Sequence, residues 1–358
     1  MEAFEAAEKI AARNDVDWDQ LQRLGRRGGV APLLYHTARE HKLLPTALEQ
    51  ELRVDYLSTA GRNLGLFQQL ERILEELKRE AVSVTLLKGA ALAGSVYENL
   101  ALRPMADIDL LVWERDVPAA LRALQSAGYN IVPPTAYRCE VMAQSPGGLR
   151  ALVELHWSLF VPFYYQYRIP MDWFWQTARH LDVGEASAKA LGPEAQLLHL
   201  CGHLYLHHGA REEPNLLWLY DVAAVIATYR QQIDWDEVVA RCQLYELVLP
   251  VQRTLRQVAD RWGPPIPPAV LEQLLGLRAS DREERVLARL TRGRAAALQH
   301  FRAELAEIPS CTWRFRFVWR NLFPPPGYMR QIYGVPHPFL LTLYYPYRWI
   351  LGLRRATD

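Results

Sequence analysis

The hydrophobic pattern of this chain changes its period near residue 81. Residues 64–80 (LGLFQQLERILEELKRE) place Phe67, Leu70 and Leu77 along one stripe, which predicts an amphipathic helix. Residues 82–87 (VSVTLL) are apolar and rich in β-branched side chains, which predicts a buried strand. The chain therefore combines helices and strands, and its fold has to bury both kinds of element against each other.

The elements that follow alternate in type. Lys88 and Gly89 form a turn that leads into a helix, and the next elements are a strand at 107–113, a helix at 116–128, a short strand from 129 and a strand at 149–159. From about residue 190 the pattern is helical again. We therefore predict an α+β fold in three parts: an N-terminal helical segment over residues 1–80, a small mixed-sheet core over residues 81–180, and a larger C-terminal helical domain over residues 181–358.

Composition argues against several functional classes. The 358 residues carry 41 basic and 40 acidic side chains, a balance that does not favour bulk nucleic-acid binding. The four cysteines include no C-x-x-C pair, which predicts reduced thiols in a cytoplasmic protein and no zinc ribbon. No run of about 18 apolar residues occurs, so we expect no membrane span. Residues 337–353 come nearest, and we interpret them either as a segment packed on the body or as a membrane-surface or partner contact.

Two aspartates lie at the start of the second predicted strand. Because side chains alternate along a strand, Asp107 and Asp109 share one face, as Glu154 and His156 do on the fourth predicted strand. If these strands are neighbours, Glu154 lies beside the aspartates, and three carboxylates repel one another unless positive charge lies among them. Divalent cations supply such charge, and two metal ions bridged by carboxylates can hold a triphosphate and activate an attacking oxygen.

A basic residue precedes the helix that follows the first predicted strand. A helix N-terminus offers free N–H groups and the positive end of the helix dipole, and glycine allows close backbone approach. Lys88 and Gly89 are therefore predicted to bind phosphate. Arg103, four residues before Asp107, is predicted either to bind phosphate as well or to pair with a carboxylate.

The stretch LLKGAALAGSVYENLALRPMADIDLLV, with VELHW at residues 153–157 and a looser match at 203–223, carries a family resemblance. It resembles the signature of the uncharacterised nucleotidyltransferase family, within the DNA-polymerase-β-like superfamily, and is similar to abortive-infection and minimal nucleotidyltransferases. The resemblance implies a polymerase-β-like core with a helical remainder. It implies that Asp107 and Asp109 are metal ligands, that Glu154 is the third carboxylate, and that Gly89 belongs to the nucleotide-binding turn.

The strand-face geometry and the family resemblance together imply Mg²⁺-dependent transfer of a nucleoside monophosphate from a nucleoside triphosphate, with ATP as the expected donor. Asp107, Asp109 and Glu154 are then catalytic residues that hold two Mg²⁺ ions. Neither the acceptor, which can be a protein, a peptide, RNA or a small molecule, nor the oligomeric state is specified by the sequence.

The chain departs from the commonest superfamily motif at the start of the helix. That motif has Gly-Ser, where the serine helps to bind phosphate, whereas this chain has Gly89-Ala90 after Lys88, with Ser95 a turn or more further along. The departure motivates a second hypothesis, a catalytically inactive nucleotide-binding or regulatory protein on the same fold.

Three histidines recur at helical spacing in the C-terminal region. His199, His203 and His207 share one helix face, and Asp221 follows them. They either bind zinc in a metal-dependent hydrolase, line a cleft, or are structural histidines bonded to Asp221 or to backbone. No H-E-x-x-H pattern accompanies them, so we expect His203, His207 and Asp221 to line the cleft opposite the carboxylates. His156 is expected either to orient a ligand or act as a base, or to be bonded within the interdomain seam.

Overall fold

A computed structural model of the protein describes residues 2–13, 15–132, 140–145, 151–207, 215–291, 301–302, 304–306, 308, 310–335 and 337–357. Four helices precede the sheet: α1 (Glu2–Ala11), α2 (Trp18–Arg27), α3 (Ala31–Arg39) and α4 (Thr46–Arg79). The second half of α4 is the helix predicted at residues 64–80. It buries its apolar stripe, Leu66, Leu70, Ile73, Leu74 and Leu77, because this three-and-four spacing faces one side.

The described strands form one mixed sheet. They are β1 (Thr85–Leu87), β2 (Asp107–Leu111), β3 (Asn130–Val132), β4 (Glu140–Gln144), β5 (Leu152–His156), β6 (Arg179–Val183) and β7 (Ala186–Ala190). Their order across the sheet is β3-β4-β5-β2-β1-β7-β6. The pairs β2–β5 and β1–β7 are parallel, and the other pairs are antiparallel. The sheet therefore contains the parallel pair that the proposed carboxylate cluster requires.

Helices connect the strands on both sides of the sheet. They are α5 (Lys88–Ser95), α6 (Val117–Ser126), α7 (Phe163–Arg168) and α8 (Asp172–Thr177). The helix predicted at 116–128 is α6, and Gly128, with φ of +88°, lies just past its end in a conformation that favours glycine. The predicted strands at 82–87, 107–113 and 149–159 contain β1, β2 and β5, and β3 lies at the third predicted strand, of which residues 133–135 are outside the described residues.

The sequence analysis missed β4, β6 and β7. Residues of β6 and β7 are mostly polar or alanine (RHLDV and ASAKA), and such residues have low strand propensity, so the hairpin shows no strong apolar alternation. The hairpin extends the sheet to Ala190, past the core boundary predicted at residue 180. The division of the chain into three domains remains a prediction.

Further helices follow the sheet within the described ranges. They are α9 (Pro193–Gly202), α10 (Leu216–Thr228), α11 (Trp235–Leu244), α12 (Val248–Trp262), α13 (Pro268–Gly276), α14 (Asp281–Thr291), α15 (Cys311–Leu322), α16 (Pro326–Tyr333), α17 (Leu341–Thr357) and a π-helical turn at His203–His207 that continues α9. None of them combines the length and apolar character needed to cross a membrane. In α17, Tyr345 and Trp349 donate hydrogen bonds to backbone carbonyls of residues 324 and 322, whereas Leu343 is 66% exposed.

Two apolar cores lie on opposite faces of the sheet. On one face, α4 and α6 pack against Ile108, Leu110 and Val153. The other core joins Leu87 and Leu111 to the aromatic and aliphatic side chains of α7 to α12. Because Leu111 shares a strand face with Asp107 and Asp109, the carboxylate face looks toward the C-terminal helices.

Candidate active site

Two parallel strands bring the predicted carboxylates together. In the register of β2 and β5, Asp109 lies opposite Glu154 and Asp107 lies opposite Leu152. Directly opposed residues project to the same face of a sheet, so Asp107, Asp109 and Glu154 share one face. Asp109 is buried, with a side chain 2% exposed, whereas Glu154 is 17% exposed and reachable from solvent. The cluster is therefore a partly open acidic site in the seam between the sheet and the C-terminal helices.

Lys88 contributes an ammonium group to this cluster. Its Nζ donates a hydrogen bond to Asp109 Oδ1 at 2.7 Å and lies 3.9 Å from Glu154 Oε2. Lys88 opens α5 with φ of +43°, a left-handed conformation that costs a non-glycine residue about 1–3 kcal/mol and is typical of functional sites. Positive charge thus already lies between two of the carboxylates that were predicted to hold metal.

His156 contacts carboxylates through both ring nitrogens. Its Nε2 lies 2.9 Å from Asp109 Oδ1 and 3.5 Å from Glu154 Oε2, and its Nδ1 lies 3.5 Å from Glu140 Oε2. Burial alone would lower the pKa of His156, but the hydrogen bonds to Asp109 and Glu154 outweigh it and raise the pKa above its ordinary value. His156 therefore faces carboxylate oxygens on both sides of its ring, and its role in orienting a ligand or acting as a base remains a prediction.

The pKa values of the two aspartates are shifted in opposite directions. Burial raises the pKa of Asp107 to about 6, and the negative charges of Asp109 and Glu154 add to the effect. Burial would also raise the pKa of Asp109, but the Lys88 ammonium and the His156 hydrogen bond lower it well below its usual range. Burial opposes the charged form of Lys88 too, yet Asp109 and Glu154 hold the pKa of that ammonium above its ordinary value. Asp109 is thus the aspartate whose ionised form is stabilised, whereas the ionised form of Asp107 is destabilised by burial and by the negative charges of Asp109 and Glu154.

The donor set fits a divalent cation. Within the described part of the chain, one group of three metal-binding side chains has its donor atoms within 4.8 Å of one another, and it consists of Asp109, Glu154 and His156. Carboxylate oxygens are the preferred ligands of Mg²⁺. Asp107 lies on the same sheet face, and burial and the charges of Asp109 and Glu154 raise its pKa. In this structure the Lys88 ammonium lies beside Asp109 and Glu154 and supplies positive charge to the cluster.

Arg103 pairs with a carboxylate, one of the two roles predicted for it. Its Nη2 donates to Asp221 Oδ2 at 2.8 Å, its Nε donates to Asp221 Oδ1 at 3.3 Å, and both side chains are buried. Tyr97 also donates its hydroxyl to Asp221 Oδ1, at 2.6 Å. The guanidinium is therefore committed to a buried ion pair behind the site, and phosphate binding by Arg103 is not supported by this geometry.

Gly89 is required by its packing against that arginine. A Cβ at this position would lie 2.4 Å from Arg103 Nη1 and 3.0 Å from Met105 Cγ, so a larger residue has no room. Gly89 follows Lys88 at the start of α5, where the first N–H groups of a helix lack intrahelical partners. The turn is therefore placed for an anion, and nucleotide binding by Gly89 remains a prediction.

The histidine row begins near the carboxylates, since the charges of Lys88 and Asp109 act on His199. The ring centroids of His199 and His203 are 6.1 Å apart, and those of His203 and His207 are 4.9 Å apart, across the change from α9 to the π-helical turn. Burial, and then the nearby Lys88 ammonium, lower the pKa of His199 well below its ordinary value. Among the described residues the three histidines form no metal-binding group, so the geometry does not favour the hydrolase hypothesis.

A family model described as uncharacterised nucleotidyltransferase matches residues 14–263. The chain belongs to this family. The match spans the sheet, the carboxylate cluster and the helices through α12. It confirms the family resemblance stated from the sequence, and together with the mixed sheet it confirms the predicted fold class. Transfer of a nucleotidyl group is the general activity of the family.

Solved structures of nucleotidyltransferases give distant matches. The solution structure of the antibiotic-resistance factor ANT(2'')-Ia is 10% identical, with 55% of this chain and 98% of that chain covered and a TM-score of 0.38. An antigenic nucleotidyltransferase-like protein from Paracoccidioides brasiliensis is 16% identical, with 60% and 94% covered and a TM-score of 0.39. The lincomycin-bound lincosamide antibiotic adenylyltransferase LnuA is 15% identical, with 45% and 96% covered and a TM-score of 0.30. Curated proteins give no match, so the family assignment rests on the family model.

Sequence reasoning missed two residues around the site. Glu140 lies opposite His156 in the β4–β5 register and faces its Nδ1. An acid at the start of the short apolar run EVMA repeats the pattern of DIDLLV, and that repetition was the available signal. Tyr97 gave no such signal, because only the tertiary fold brings its hydroxyl to Asp221.

Proposed function

We propose that the protein is a Mg²⁺-dependent enzyme that transfers a nucleoside monophosphate from a nucleoside triphosphate, with ATP as the first candidate donor, to an oxygen of an acceptor. The observation that carries the proposal is the placement of Asp107, Asp109 and Glu154 on one sheet face beside the N-terminus of α5. An acidic cluster next to a helix N-terminus suits a metal-bound triphosphate, because the cluster can hold the metal ions and the N-terminus can bind an anion.

The carboxylates would hold the metal ions. Asp107 and Asp109 would hold both Mg²⁺ ions, and Glu154 would hold one of them. When bound, the ions neutralise the charge of the phosphates and lower the pKa of the attacking hydroxyl. His156 keeps the carboxylates of Asp109 and Glu154 oriented through its Nε2. Lys88 and the N–H groups at the start of α5 would contact the β- and γ-phosphates, because Lys88 lies beside Asp109 and the first N–H groups of a helix lack intrahelical partners.

The reaction forms one bond and breaks another. The acceptor oxygen bonds to the α-phosphorus, and the bond from that phosphorus to the oxygen bridging the β-phosphorus breaks. The electron pair of the broken bond leaves with pyrophosphate, and the acceptor proton passes to Glu154. We assign the proton to Glu154 and not to His156, because both ring nitrogens of His156 already face carboxylate oxygens.

A second candidate function is nucleotide binding without turnover. Two observations favour it: the chain has Ala90 where the superfamily motif has serine, and the Lys88 ammonium already lies between Asp109 and Glu154. In that case the protein would bind a nucleoside triphosphate and release no pyrophosphate. Measuring binding and pyrophosphate release on the same protein separates the two functions.

The deciding experiment incubates the purified protein and Mg²⁺ with each α-³²P-labelled nucleoside triphosphate and with whole-cell RNA, protein and small-molecule extracts. Wild type should transfer label, whereas the double variant Asp107→Asn/Asp109→Asn should not. Asp182→Asn is the matched control, because Asp182 lies on the same sheet with its side chain 80% exposed. Transfer that survives in the double variant would refute the proposed catalytic role of these aspartates.

A further inference from the structure

A cavity of about 470 Å³ lies beyond the C-terminal ends of β2 and β5, the strands that carry the carboxylates. Trp113 lines it just past β2, and Trp157 and Ser158 line it directly after β5. Helix α15 closes the opposite side with three side chains spaced three and four residues apart, Trp313, Arg316 and Arg320. The volume is within the range of about 300–1,000 Å³ that is usual for small-molecule sites.

The carboxylates lie between this cavity and the phosphate-binding turn. Strand β1 runs antiparallel to β2 with Leu87 opposite Asp109, so the N-terminus of α5 lies toward the Asp107 end of β2. Trp113 lies past the other end of the same strand. On β5, Trp157 is the third residue after Glu154, so the Cα atoms of the two residues are at most about 11 Å apart. The cavity therefore adjoins the carboxylates along both strands.

The geometry of phosphoryl transfer indicates from which side of the carboxylates the acceptor approaches. The attacking and leaving oxygens lie roughly in line on opposite sides of the phosphorus. If pyrophosphate leaves toward the N-terminus of α5, the acceptor has to approach from the opposite side. The cavity lies on that side of Asp109 and Glu154.

The cavity walls combine aromatic rings with guanidinium groups. The ring of Trp113 is held by stacking on Trp175, with centroids 4.9 Å apart and planes at 14°. Trp157 is partly exposed and lines the cavity, so part of its ring can contact a planar ligand. Planar rings of nucleobases stack on such side chains without a requirement for one base.

Two arginines in the cavity walls disfavour cationic ligands. Arg316 lies over the ring of Trp313 at 4.8 Å and pairs with Glu114, and Arg320 adds a second guanidinium. The side chains that line the cavity thus include two guanidinium groups and one carboxylate. Guanidinium groups bind phosphate through paired N–H donors, so the walls favour an anionic ligand.

We propose that this cavity is the acceptor site and that it takes a nucleotide unit, that is, an acceptor with a planar heteroaromatic ring and a phosphate group. The ring stacks on Trp157, the phosphate faces Arg316 and Arg320, and a sugar hydroxyl is directed to Glu154. That hydroxyl oxygen then bonds to the α-phosphorus of the donor, pyrophosphate leaves, and the proton passes to Glu154. This inference rests on the proposed function and narrows the acceptor to a free nucleotide or the end of an RNA chain.

Binding of the acceptor can be measured without turnover. The full-length protein, without Mg²⁺ or triphosphate, is titrated with AMP, with UMP and with a single-stranded RNA pentamer, and binding is followed by calorimetry. Trp157→Leu and Arg320→Gln should each weaken binding about tenfold or more, while Trp157→Phe should retain most of it because a ring remains. Trp319→Leu and Arg330→Gln are matched controls at exposed positions outside the cavity and should bind like wild type.

The outcomes separate the sources of the ligand and the two proposals. Binding of the mononucleotides supports a free nucleotide as acceptor, whereas binding of the pentamer alone supports an RNA end. Binding that is lost in Lys88→Met but kept in Trp157→Leu places the probe at the donor turn and overturns the inference, as does no binding of any probe.

Label transfer distinguishes the failure of each proposal. Transfer from an α-labelled triphosphate that is unchanged in Trp157→Leu leaves the proposed function intact and overturns the acceptor site. Binding that depends on Trp157 and Arg320, with no transfer from any triphosphate to the bound probe, overturns the acceptor role and contradicts the proposed reaction, and it leaves a nucleotide-binding cavity.

Discussion

Asp109 is the residue on which the charges of the site converge. Its carboxylate accepts hydrogen bonds from Lys88 Nζ at 2.7 Å and from His156 Nε2 at 2.9 Å, while its side chain is 2% exposed. A buried carboxylate without a partner is costly, so these donors are what allow the acid to lie inside the protein. Removal of one donor should therefore destabilise the folded protein, because the buried Asp109 carboxylate would lose a partner.

Lys88→Met is expected to lower the free energy of unfolding by about 3–5 kcal/mol in the absence of divalent cations, because it leaves the Asp109 carboxylate without its ammonium partner. Added Mg²⁺ should recover part of this loss, since a cation held by Asp109 and Glu154 replaces the missing charge and binding to the folded state stabilises it. Urea unfolding with and without Mg²⁺ measures both effects. Lys78→Met, at an exposed position of α4, is the control. A Mg²⁺ effect no larger in Lys88→Met than in wild type would contradict the role of Lys88 as counter-ion.

Gly89 and Gly61 should respond in opposite directions to replacement by alanine. Gly89→Ala should lower the free energy of unfolding by about 2–3 kcal/mol, because the new Cβ would lie 2.4 Å from the buried Arg103 guanidinium. Gly61→Ala should raise it by about 0.5–1 kcal/mol, because Gly61 lies in the exposed interior of α4 with no atom within 4 Å of the new Cβ. Chemical denaturation of both variants checks the pair. Equal effects would show that the space around Gly89 does not limit its side chain.

At the scale of elements, α12 begins with a cap that comes from another helix. The residue before it, Leu247, has no side-chain cap, and Glu283 of α14 accepts a hydrogen bond from the Leu249 N–H at 2.6 Å. Glu283 is fully buried. Burial raises its pKa from 4.5 to about 7, although the Leu249 N–H acts in the opposite direction. Because this capping residue titrates, the stability of the contact between α14 and α12 should depend on pH.

This cap predicts a pH dependence of stability. Between about pH 4.5 and 7 the folded protein binds the Glu283 proton more tightly than the unfolded chain does, so the contribution of Glu283 to stability is full below pH 4.5 and is lost as the pH rises through 7. The loss amounts to roughly 3 kcal/mol at 1.36 kcal/mol per pKa unit. Denaturation of wild type and Glu283→Gln across this pH range should show a slope that the variant lacks. Glu284→Gln, one residue along and exposed, should keep the slope of wild type.

At the scale of the whole molecule, one ion pair joins the sheet to the C-terminal helices behind the active site. Arg103 precedes β2, Asp221 lies on α10, and Tyr97 from the segment after α5 donates to the same carboxylate. Both charged side chains are buried, at 7% and 0% exposure. Because the carboxylate cluster lies between the sheet and these helices, the ion pair helps to hold the two walls of the site together.

A double-mutant cycle tests this connection. Arg103→Met and Asp221→Asn should each lower the free energy of unfolding by about 3–5 kcal/mol, because each leaves a buried group unpaired. The double variant should lose less than the sum, with a coupling energy of about 1–3 kcal/mol. Arg122 and Glu80, a pair at 2.7 Å whose side chains are 60% and 34% exposed, form the control cycle, with an expected coupling below about 1 kcal/mol. A coupling no larger for Arg103 and Asp221 than for the control would refute the structural role.

The parts of the site that could be predicted depend on local chemistry. Alternation along β2 placed Asp107 and Asp109 on one face, and the helical stripe of α4 identified its buried side, because both periods are properties of consecutive residues. Strands β6 and β7 were missed, because their polar and alanine residues obtain strand structure from pairing within the sheet and have little intrinsic preference for it.

The sequence by itself determined the order of the elements that carry the predicted site residues (β1, α5, β2 and β5), the shared strand face of the aspartates and the family to which the chain belongs. Only the tertiary structure decided that Glu154 lies opposite Asp109, that Lys88 neutralises Asp109, and that Arg103 is bound to Asp221 and not left free for phosphate. The physical reason is that side-chain periodicity is set by neighbouring residues, whereas the partner of a charge is chosen by which segments, distant along the chain, the packing brings within a few ångströms.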